Sequence, residues 1–317
     1  MGSSLRSLDA RGPSSRNAAN SFCNMRQPTA TFAARIARRA WSLVVALVVI
    51  SLITAGCGRS SAEPQPVLAR EEGRTIAARI SPPRGYEFRP TEPGSFEEWL
   101  TQLPLKPGRP SVLLHDGREK LNQDAHHAVI DLDVGDRDLQ QCADAIIRLR
   151  AEYLWAAGRY ADIHFNFTSG DRADYNRWRE GYRPLVVGNN VRWRKSAAED
   201  DSYESFRDYL TTVFRYAGTH SLSQELSPVA DPAQMKIGDV FIRGGFPGHA
   251  VIVVNMAENR DTHQRVFLLA QSYMPAQDIH VLRNPTDPDL SPWYPLGFGD
   301  HLRTPEYGFR KDELRRF

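Results

Sequence analysis

The sequence has 317 residues, of which 41% are hydrophobic and 25% are charged. This composition is that of a globular protein, and the length allows one large domain or one domain with elaborations. The 40 basic and 38 acidic side chains give a net charge of +2, and no cluster of excess lysine and arginine indicates a nucleic-acid surface.

The N-terminal segment has the pattern of a secretory signal. Three arginines between residues 35 and 39 precede an apolar run, Trp41–Ile53, and small residues follow it. A basic region, a short apolar core and small residues before a cleavage point are typical of an export signal. The run is shorter than the roughly 20 residues of a transmembrane helix. Met25 is a candidate for the true start of the chain.

The end of this segment, Ala55-Gly56-Cys57, resembles a bacterial lipobox. The resemblance implies cleavage before Cys57, lipidation of that residue, and a lipid-anchored protein on the periplasmic side of the cell envelope; the alternative is an uncleaved anchor. Loss of residues 1–56 removes seven arginines and one aspartate, which leaves a net charge of −4. We therefore expect a signal at 1–56, the lipidated cysteine and a tether at 57–84, and a single α+β domain at 85–317.

Within residues 85–317, helices are predicted mainly early and strands mainly late, an order that favours an α+β fold. The predicted helices are 97–103, capped by Ser95; about 136–157, capped by Asp136 or Asp138; and 203–216, closed by Gly218. The predicted strands are 111–114, 128–132, 163–167, 240–242, 250–254, 266–270 and 280–282. The C-terminal tail, rich in proline and aromatic residues, is expected to wrap the surface.

One cysteine stands apart from the targeting region. Cys23 and Cys57 lie in that region, so Cys142 alone remains in the exported domain and has no internal disulfide partner. It falls in the first turns of the predicted 136–157 helix, where the helix dipole favours a thiolate. It also lies on an apolar stripe with Leu139 and Ile146. Cys142 is therefore either a reactive nucleophile or a small core residue.

Residues 237–255, IGDVFIRGGFPGHAVIVVN, predict a β-hairpin with His249 at its mouth. This arrangement resembles the histidine hairpin of papain-like cell-wall amidases of the NlpC type. The resemblance implies a papain-like core of helices on a small antiparallel sheet, with Cys142 as nucleophile, His249 as base and Gln271 as the group that orients the imidazole. The alternatives are a histidine bound to backbone carbonyls and an ordinary amide at a strand end.

Two features depart from the NlpC-type pattern. His249 follows Cys142 by 107 residues, more than that compact fold usually needs. The segment SFRDYLTTVFRYAG, just before the hairpin, itself resembles the nucleophile helix. This alignment places Phe206, with Ser205 beside it, where the cysteine belongs. If this helix is the true counterpart, the domain is a degenerate relative without a nucleophile.

The sequence is also compatible with two other kinds of site. His126, His127, Asp131 and Asp133 could bind zinc or a harder cation, but no recognised ligand spacing is present; a charged network around a helix cap is expected instead, and no metal. Aromatic and amide side chains between residues 164 and 193 suit glycan or peptide binding. They suit a polar-edged core equally well.

Several long segments, among them GSFEEWLTQLPLKPG, HFNFTSG and LLAQSYMPAQDIHVLRNP, are similar to a bacterial family of unknown function, domain-of-unknown-function family 4846. That resemblance implies no activity. The sequence predicts an exported lipoprotein that hydrolyses an amide or peptide bond near the cell wall, in peptidoglycan or a peptide, without a cofactor. Gln140 or Gln141 could contribute to the oxyanion hole. The alternative is a non-catalytic papain-like module that binds wall fragments or a protein partner, and the oligomeric state is left open.

Overall fold

A computed structural model describes residues 74–317 of the chain. Among these residues the α-helices are α1 Ile76–Arg79, α2 Phe96–Thr101, α3 Cys142–Ala156, α4 Tyr175–Arg179, α5 Tyr203–Tyr216 and α6 Thr219–Glu225. The strands are β1 Tyr86–Phe88, β2 His126–Val129, β3 His164–Asn166, β4 Arg172–Asp174, β5 Tyr182–Val187, β6 Asn190–Lys195, β7 Ser227–Pro228, β8 Val240–Arg243, β9 His249–Asn259, β10 Arg265–Gln271, β11 His280–Leu282, β12 Tyr294–Pro295, β13 His301–Arg303, β14 Gly308–Arg310 and β15 Leu314–Arg316.

The predicted signal segment and the lipidation site at Cys57 lie outside the described residues. Within residues 74–317, no helix is long and apolar enough to cross a membrane. The first described helix, α1, falls inside the segment expected to be a tether. Its Ile76 is fully buried and the backbone N–H of Ile76 donates to the carbonyl of Leu103 at 3.0 Å. The folded region therefore begins before residue 85.

The main sheet has nine strands, and its path runs β2-β11-β10-β9-β8-β15-β7, with β1 also paired to β9 and β12 to β10. Every strand pairing in residues 74–317 is antiparallel. Three two-stranded sheets, β3-β4, β5-β6 and β13-β14, lie outside it. The mixed helical and antiparallel architecture confirms the expected α+β class, although the sheet is larger than the small one expected.

Strands β9 and β10 form the centre of the core. Their apolar residues on both faces are buried, as in a strand covered on two sides. Helices α2 and α3 pack against β9, and α6 packs against β8. The predicted hairpin is present, since β8 pairs with β9 from Val240 opposite Ile252 to Arg243 opposite His249. This register places His249 at the first residue of β9, beside the turn.

The C-terminal tail enters the main sheet, and the prediction that it wraps the surface was wrong. Strand β15 pairs with both β8 and β7, and its Leu314 is fully buried. The aromatic side chains of Trp293 and Tyr294 are also buried, at 2% and 1% exposure. Tyr294 lies in β12, which pairs with β10, and β15 supplies the second neighbour of β8.

Helix α3 begins at Cys142, later than Asp136 or Asp138 would cap it. The Asp138 carboxylate accepts from the backbone N–H of Ala276 at 2.7 Å and from the Gln141 side-chain amide at 2.9 Å. It therefore binds the loop between β10 and β11 and does not cap a helix. Gln141 is the extended N-cap residue, and its N–H donates to the Asp144 carboxylate at 3.1 Å. Cys142 is consequently the first residue of the helix.

Two other predicted helix boundaries agree with the structure. Ser95 caps α2, and α5 spans Tyr203–Tyr216 as expected. Gly218 does not close α5; it is the N-cap of α6, and its N–H donates to the Ser221 hydroxyl at 3.1 Å. Residues 111–114 form only isolated bridges, Leu113 with Glu119 and Leu114 with Gln277. The β5-β6 hairpin had no counterpart among the predicted strands.

Helix α3 carries two residues of a buried ionic cluster. Arg148 and Glu152 are both fully buried, and the guanidinium Nε lies 3.3 Å from the Glu152 carboxylate. The same guanidinium donates to the side-chain oxygen of Gln140 at 2.6 Å and to the backbone carbonyl of Asp133. Tyr203 donates its hydroxyl to Glu152 at 2.7 Å. The cluster therefore fixes the loop that enters α3 just before Cys142.

Candidate active site

The thiol of Cys142 lies at the N-terminus of α3, where the first N–H groups of a helix have no partner within the helix. The backbone N–H groups of Ala143, Ala250 and Cys142 itself lie close enough to the sulfur to favour its anion. Ala250 follows His249 directly in β9, so helix α3 and the histidine strand meet at this point. Cys142 is partly accessible and forms no disulfide.

His249 is held at the mouth of the hairpin by tight packing of the turn. A Cβ at Gly248 would lie 2.4 Å from both the Gly245 carbonyl oxygen and the Thr219 hydroxyl, so this position accepts only glycine without a shift. The imidazole is 2% exposed and lies among the rings of Tyr273 and Tyr307, with centroids 4.6 Å and 5.1 Å away. Neither tyrosine was a predicted site residue, because neither carries a motif.

Gln271, the last residue of β10, is buried beside His249. Its side-chain oxygen lies 2.8 Å from Nε2 of the imidazole. The other ring nitrogen, Nδ1, makes no hydrogen bond to any residue between 74 and 317. Gln271 is therefore placed to hold the histidine ring by one nitrogen while the second nitrogen stays free to exchange a proton.

A single pocket of about 510 Å³ is lined by Cys142, His249, Tyr273 and Tyr307. Cys142 and His249 both border this shared space, although no hydrogen bond joins their side chains. Apolar side chains form part of its rim, including the strongly exposed Phe246, at 94%, and Met274, at 56%. A substrate group that entered the pocket would therefore lie beside both Cys142 and His249.

Burial opposes ionisation of both the thiol and the imidazole. It raises the pKa of the Cys142 thiol to about 11, with the nearby Asp144 carboxylate acting in the same direction. Burial also lowers the pKa of His249 to about 4, against the hydrogen bond that its imidazole donates to Gln271 and the charge of Glu306. The helix N-terminus was expected to lower the pKa of the Cys142 thiol. The pKa is instead raised, because desolvation outweighs the N–H groups of the helix. The resting site holds a neutral thiol and a neutral imidazole.

This electrostatic state has a measurable consequence for alkylation of the folded protein. Because the pKa of the thiol is raised to about 11, the thiolate that reacts with iodoacetamide forms only as the pH rises towards that value. We expect the alkylation rate of Cys142 to be low at neutral pH and to rise with an apparent pKa above the ~8.5 of a free cysteine. The Cys142→Ala variant gives the background from Cys23 and Cys57. An apparent pKa below ~8.5 would mean that the helix N-terminus and His249 dominate over burial.

Two groups could stabilise a developing oxyanion. Cys142 and Ala143 are the first two residues of the helix, and their backbone N–H groups lie beside the sulfur, as an oxyanion hole requires. Gln141 also lines the pocket, but its side-chain amide donates to Asp138. Gln140 lies away from the pocket and binds Arg148 through its oxygen. Of the two glutamines nominated from the sequence, only Gln141 is near the thiol.

The alternative alignment, with α5 as the nucleophile helix, does not place a reactive group in this pocket. Phe206 is fully buried and stacks on Trp155 at a centroid distance of 5.6 Å. The Ser205 hydroxyl accepts from the indole N–H of Trp178 at 3.1 Å. Both residues therefore belong to an aromatic core. The helix that meets the histidine strand is α3.

Two of the four residues considered as metal ligands, His126 and Asp133, have structural partners. His126 Nε2 lies 2.9 Å from the Pro110 carbonyl, and the Asp133 carboxylate pairs with Arg148 and Arg207 at 3.0 Å each. No group of three or more histidine, cysteine or acidic residues within 74–317 is arranged to hold a metal ion. In the 164–193 segment, Trp178 is buried with its indole satisfied. These observations favour the charged network and the polar-edged core.

Comparison with known proteins identifies one family. The family model described as domain of unknown function (4846) matches residues 76–316, which includes all three candidate site residues. Neither the curated proteins nor the solved structures contain a match to this chain.

Proposed function

Since the chain belongs to the domain of unknown function (4846) family, whose description gives no activity, we propose a function from the site alone: hydrolysis of an amide or peptide bond through a covalent thioester on Cys142. The observation that carries the proposal is that Cys142 and His249, on separate elements, line one pocket, while Gln271 on a third element contacts the imidazole. A nucleophile helix packed on a sheet, with base and orienting amide on adjacent antiparallel strands, supports a papain-like core for the domain.

In the proposed reaction, the substrate carbonyl binds between the thiol and the first N–H groups of α3. Nδ1 of His249 takes the thiol proton while the sulfur forms a bond to the carbonyl carbon. The resulting oxyanion faces the N–H groups of Cys142 and Ala143. The imidazolium then gives its proton to the leaving amine as the C–N bond breaks, which leaves an acyl-thioester.

Water completes the proposed cycle. Nδ1 removes a proton from the attacking water, and the second oxyanion collapses to a carboxylic acid with return of the proton to the sulfur. The neutral resting pair suits this concerted route, because proton transfer accompanies attack and does not precede it. Gln271 keeps the ring aligned in both halves through its bond to Nε2.

The sequence supports a location for this reaction. The export signal and lipobox pattern that end at Cys57 suit a protein anchored in the cell envelope, on the periplasmic side. A peptide or the peptide part of the cell wall would be a substrate within reach. The apolar rim formed by Phe246 and Met274 suits a substrate with an apolar side chain or acyl group beside the scissile bond.

A small activated ester tests the covalent step without knowledge of the natural substrate. We expect p-nitrophenyl acetate to transfer one acetyl group to Cys142 of the full-length protein, visible as a mass increase and located by peptide mapping. The Cys142→Ala variant should lack this modification, while any acetylation of surface lysines should persist. Acetylation of Cys142 in urea but never in the folded protein would remove the proposal.

A second candidate function is binding without chemistry. It is favoured by the raised thiol pKa and by the absence of a hydrogen bond between Cys142 and His249. In that case the pocket would hold a wall fragment or a segment of a partner protein, and its affinity would survive Cys142→Ala. The acetylation experiment separates the two functions, because a binding pocket needs no reactive sulfur.

A further inference from the structure

Behind the His249–Gln271 pair lies a buried charged group that the proposed reaction does not use. The Gln271 amide nitrogen donates to the Glu306 carboxylate at 2.8 Å. Lys120, only 7% exposed, donates its ammonium to the same carboxylate oxygen, and the Asn122 amide lies 3.4 Å from the other oxygen. Glu306 is itself largely buried, with a side chain 14% exposed. Burying two charges costs free energy of folding unless each has good hydrogen-bond partners. The position of this ion pair behind the imidazole therefore indicates a role at the site.

His280 provides a second constraint on the same amide. Its Nδ1 lies 2.8 Å from the Asp278 carbonyl oxygen, which can only accept, so Nδ1 carries the hydrogen. Burial lowers the pKa of His280 well below its ordinary value, which keeps the ring neutral. Its Nε2 is therefore an acceptor, and it lies 3.3 Å from the amide nitrogen of Gln271.

Two acceptors thus fix the orientation of the Gln271 side chain. Glu306 and His280 both require the NH₂ group, so the Gln271 oxygen must face His249. An amide oxygen cannot donate, and the hydrogen of the contact with His249 must therefore lie on Nε2. In a neutral imidazole the lone pair is then on Nδ1, which is the nitrogen that the proposed reaction uses as the base.

From this chain of contacts we infer that Glu306, paired with Lys120, is a positioning residue that sets the tautomer of His249 through Gln271. The inference rests on the proposed function for its catalytic meaning, although the tautomer is a property of the resting protein. The Lys120 ammonium donates to the Glu306 carboxylate and holds it as the acceptor for the Gln271 amide. Without the Glu306 oxygen, only the longer contact with His280 would hold the amide, which could then rotate and present its NH₂ group to His249.

The three groups come from distant parts of the chain. Lys120 lies between the predicted 111–114 and 128–132 strands, Gln271 ends β10, and Glu306 lies between β13 and β14. The ammonium of Lys120 also lies 5.6 Å from the ring centre of Tyr273, which packs on His249. The C-terminal segment therefore contributes both Glu306 and Tyr307 to the surroundings of the imidazole.

Nitrogen NMR of the ¹⁵N-histidine-labelled full-length protein measures the tautomer directly. The signal of His249 is assigned by its loss in His249→Ala, which is necessary because the chain has nine histidines. We expect the Nε2–H tautomer in the unmodified protein at neutral pH. In Glu306→Ala we expect a mixture of tautomers and a loss of about 10–100-fold in the rate of Cys142 acetylation by p-nitrophenyl acetate, the size found when hydrogen-bond partners of metal-ligating histidines are removed.

Two variants bracket this effect. Glu306→Gln retains an oxygen that can accept from Gln271, so the Nε2–H tautomer and most of the rate should be kept. Asp300→Asn removes an exposed carboxylate that pairs with Lys311 in the same C-terminal segment, and both readouts should match those of the unmodified protein. The amide spectrum of each variant reports whether it is folded.

The outcomes separate this inference from the proposed function. A tautomer change in Glu306→Ala without any acetylation in the unmodified protein would support the positioning role and end the hydrolase proposal. Acetylation that proceeds equally in Glu306→Ala, with the tautomer unchanged, would overturn the positioning role alone. An Nδ1–H tautomer in the unmodified protein would overturn it as well, and this measurement needs no folded variant.

Discussion

Replacing His249 with alanine is expected to slow acetylation of Cys142 by about 10²–10⁴-fold, the range that a positioned general base contributes. The physical reason is the neutral resting thiol: burial raises its pKa to about 11, so almost no thiolate exists at neutral pH and attack depends on proton transfer to Nδ1. The measurement is the acetylation rate with p-nitrophenyl acetate, followed by mass spectrometry of the peptide that contains Cys142.

The pH dependence makes this prediction sharper. In the unmodified protein the base is neutral above the lowered pKa of His249, about 4, so the rate should rise through that region and stay level across neutral pH. In His249→Ala the rate should instead follow the thiolate and increase towards pH 11. His301→Ala, which removes an exposed histidine of β13, is the matched control. An unchanged rate in a folded His249→Ala protein would rule out the role of His249 as base.

Replacing Arg148 with methionine is expected to lower the free energy of unfolding by roughly 3–5 kcal/mol, as for other buried pairs that lose one partner. The change leaves the Glu152 carboxylate, already raised in pKa by its burial, without its closest cation in a fully buried place. It also removes the donor to Gln140 and to the Asp133 carbonyl. Chemical denaturation of the full-length protein and the variant measures the difference.

A double-variant comparison tests the cause of that loss. Arg148→Met combined with Glu152→Leu removes both charges, so a large part of the lost stability should return. Arg159→Ala breaks an exposed pair with Asp162, both about half exposed, and should cost no more than ~1 kcal/mol. If Arg148→Met alone costs as little as Arg159→Ala, the buried cluster does not hold the loop before Cys142.

Local patterns in the sequence predicted those elements that depend on neighbouring residues. Helix α5 has an N-cap serine and an amphipathic stripe, and its predicted bounds agree with the structure. The hairpin of β8 and β9 follows from two β-branched runs around a glycine-rich turn. The candidate residues Cys142, His249 and Gln271 were also chosen from local features: the only cysteine after residue 57, a histidine beside a turn, and an amide at a strand end.

The sequence could not decide which helix meets the histidine or where that helix begins. Asp138 has the type and position of an N-cap, but its carboxylate binds the N–H of Ala276, 138 residues further along the chain. That contact forms only in the folded protein, and it moves the start of α3 to Cys142. Likewise, α5 resembles a nucleophile helix by local pattern, yet its Phe206 packs into an aromatic core.

The types of residue in the candidate site were thus determined by the sequence itself, as were the α+β class and the hairpin that carries His249. The tertiary structure alone decided that Cys142 and His249 share a pocket, that β15 completes the sheet, and that Glu306 binds Gln271. The reason is physical: desolvation and hydrogen bonds between residues far apart in the chain set these contacts and the pKa values of the site. Neither these contacts nor these pKa values are encoded in the periodicity of a short segment.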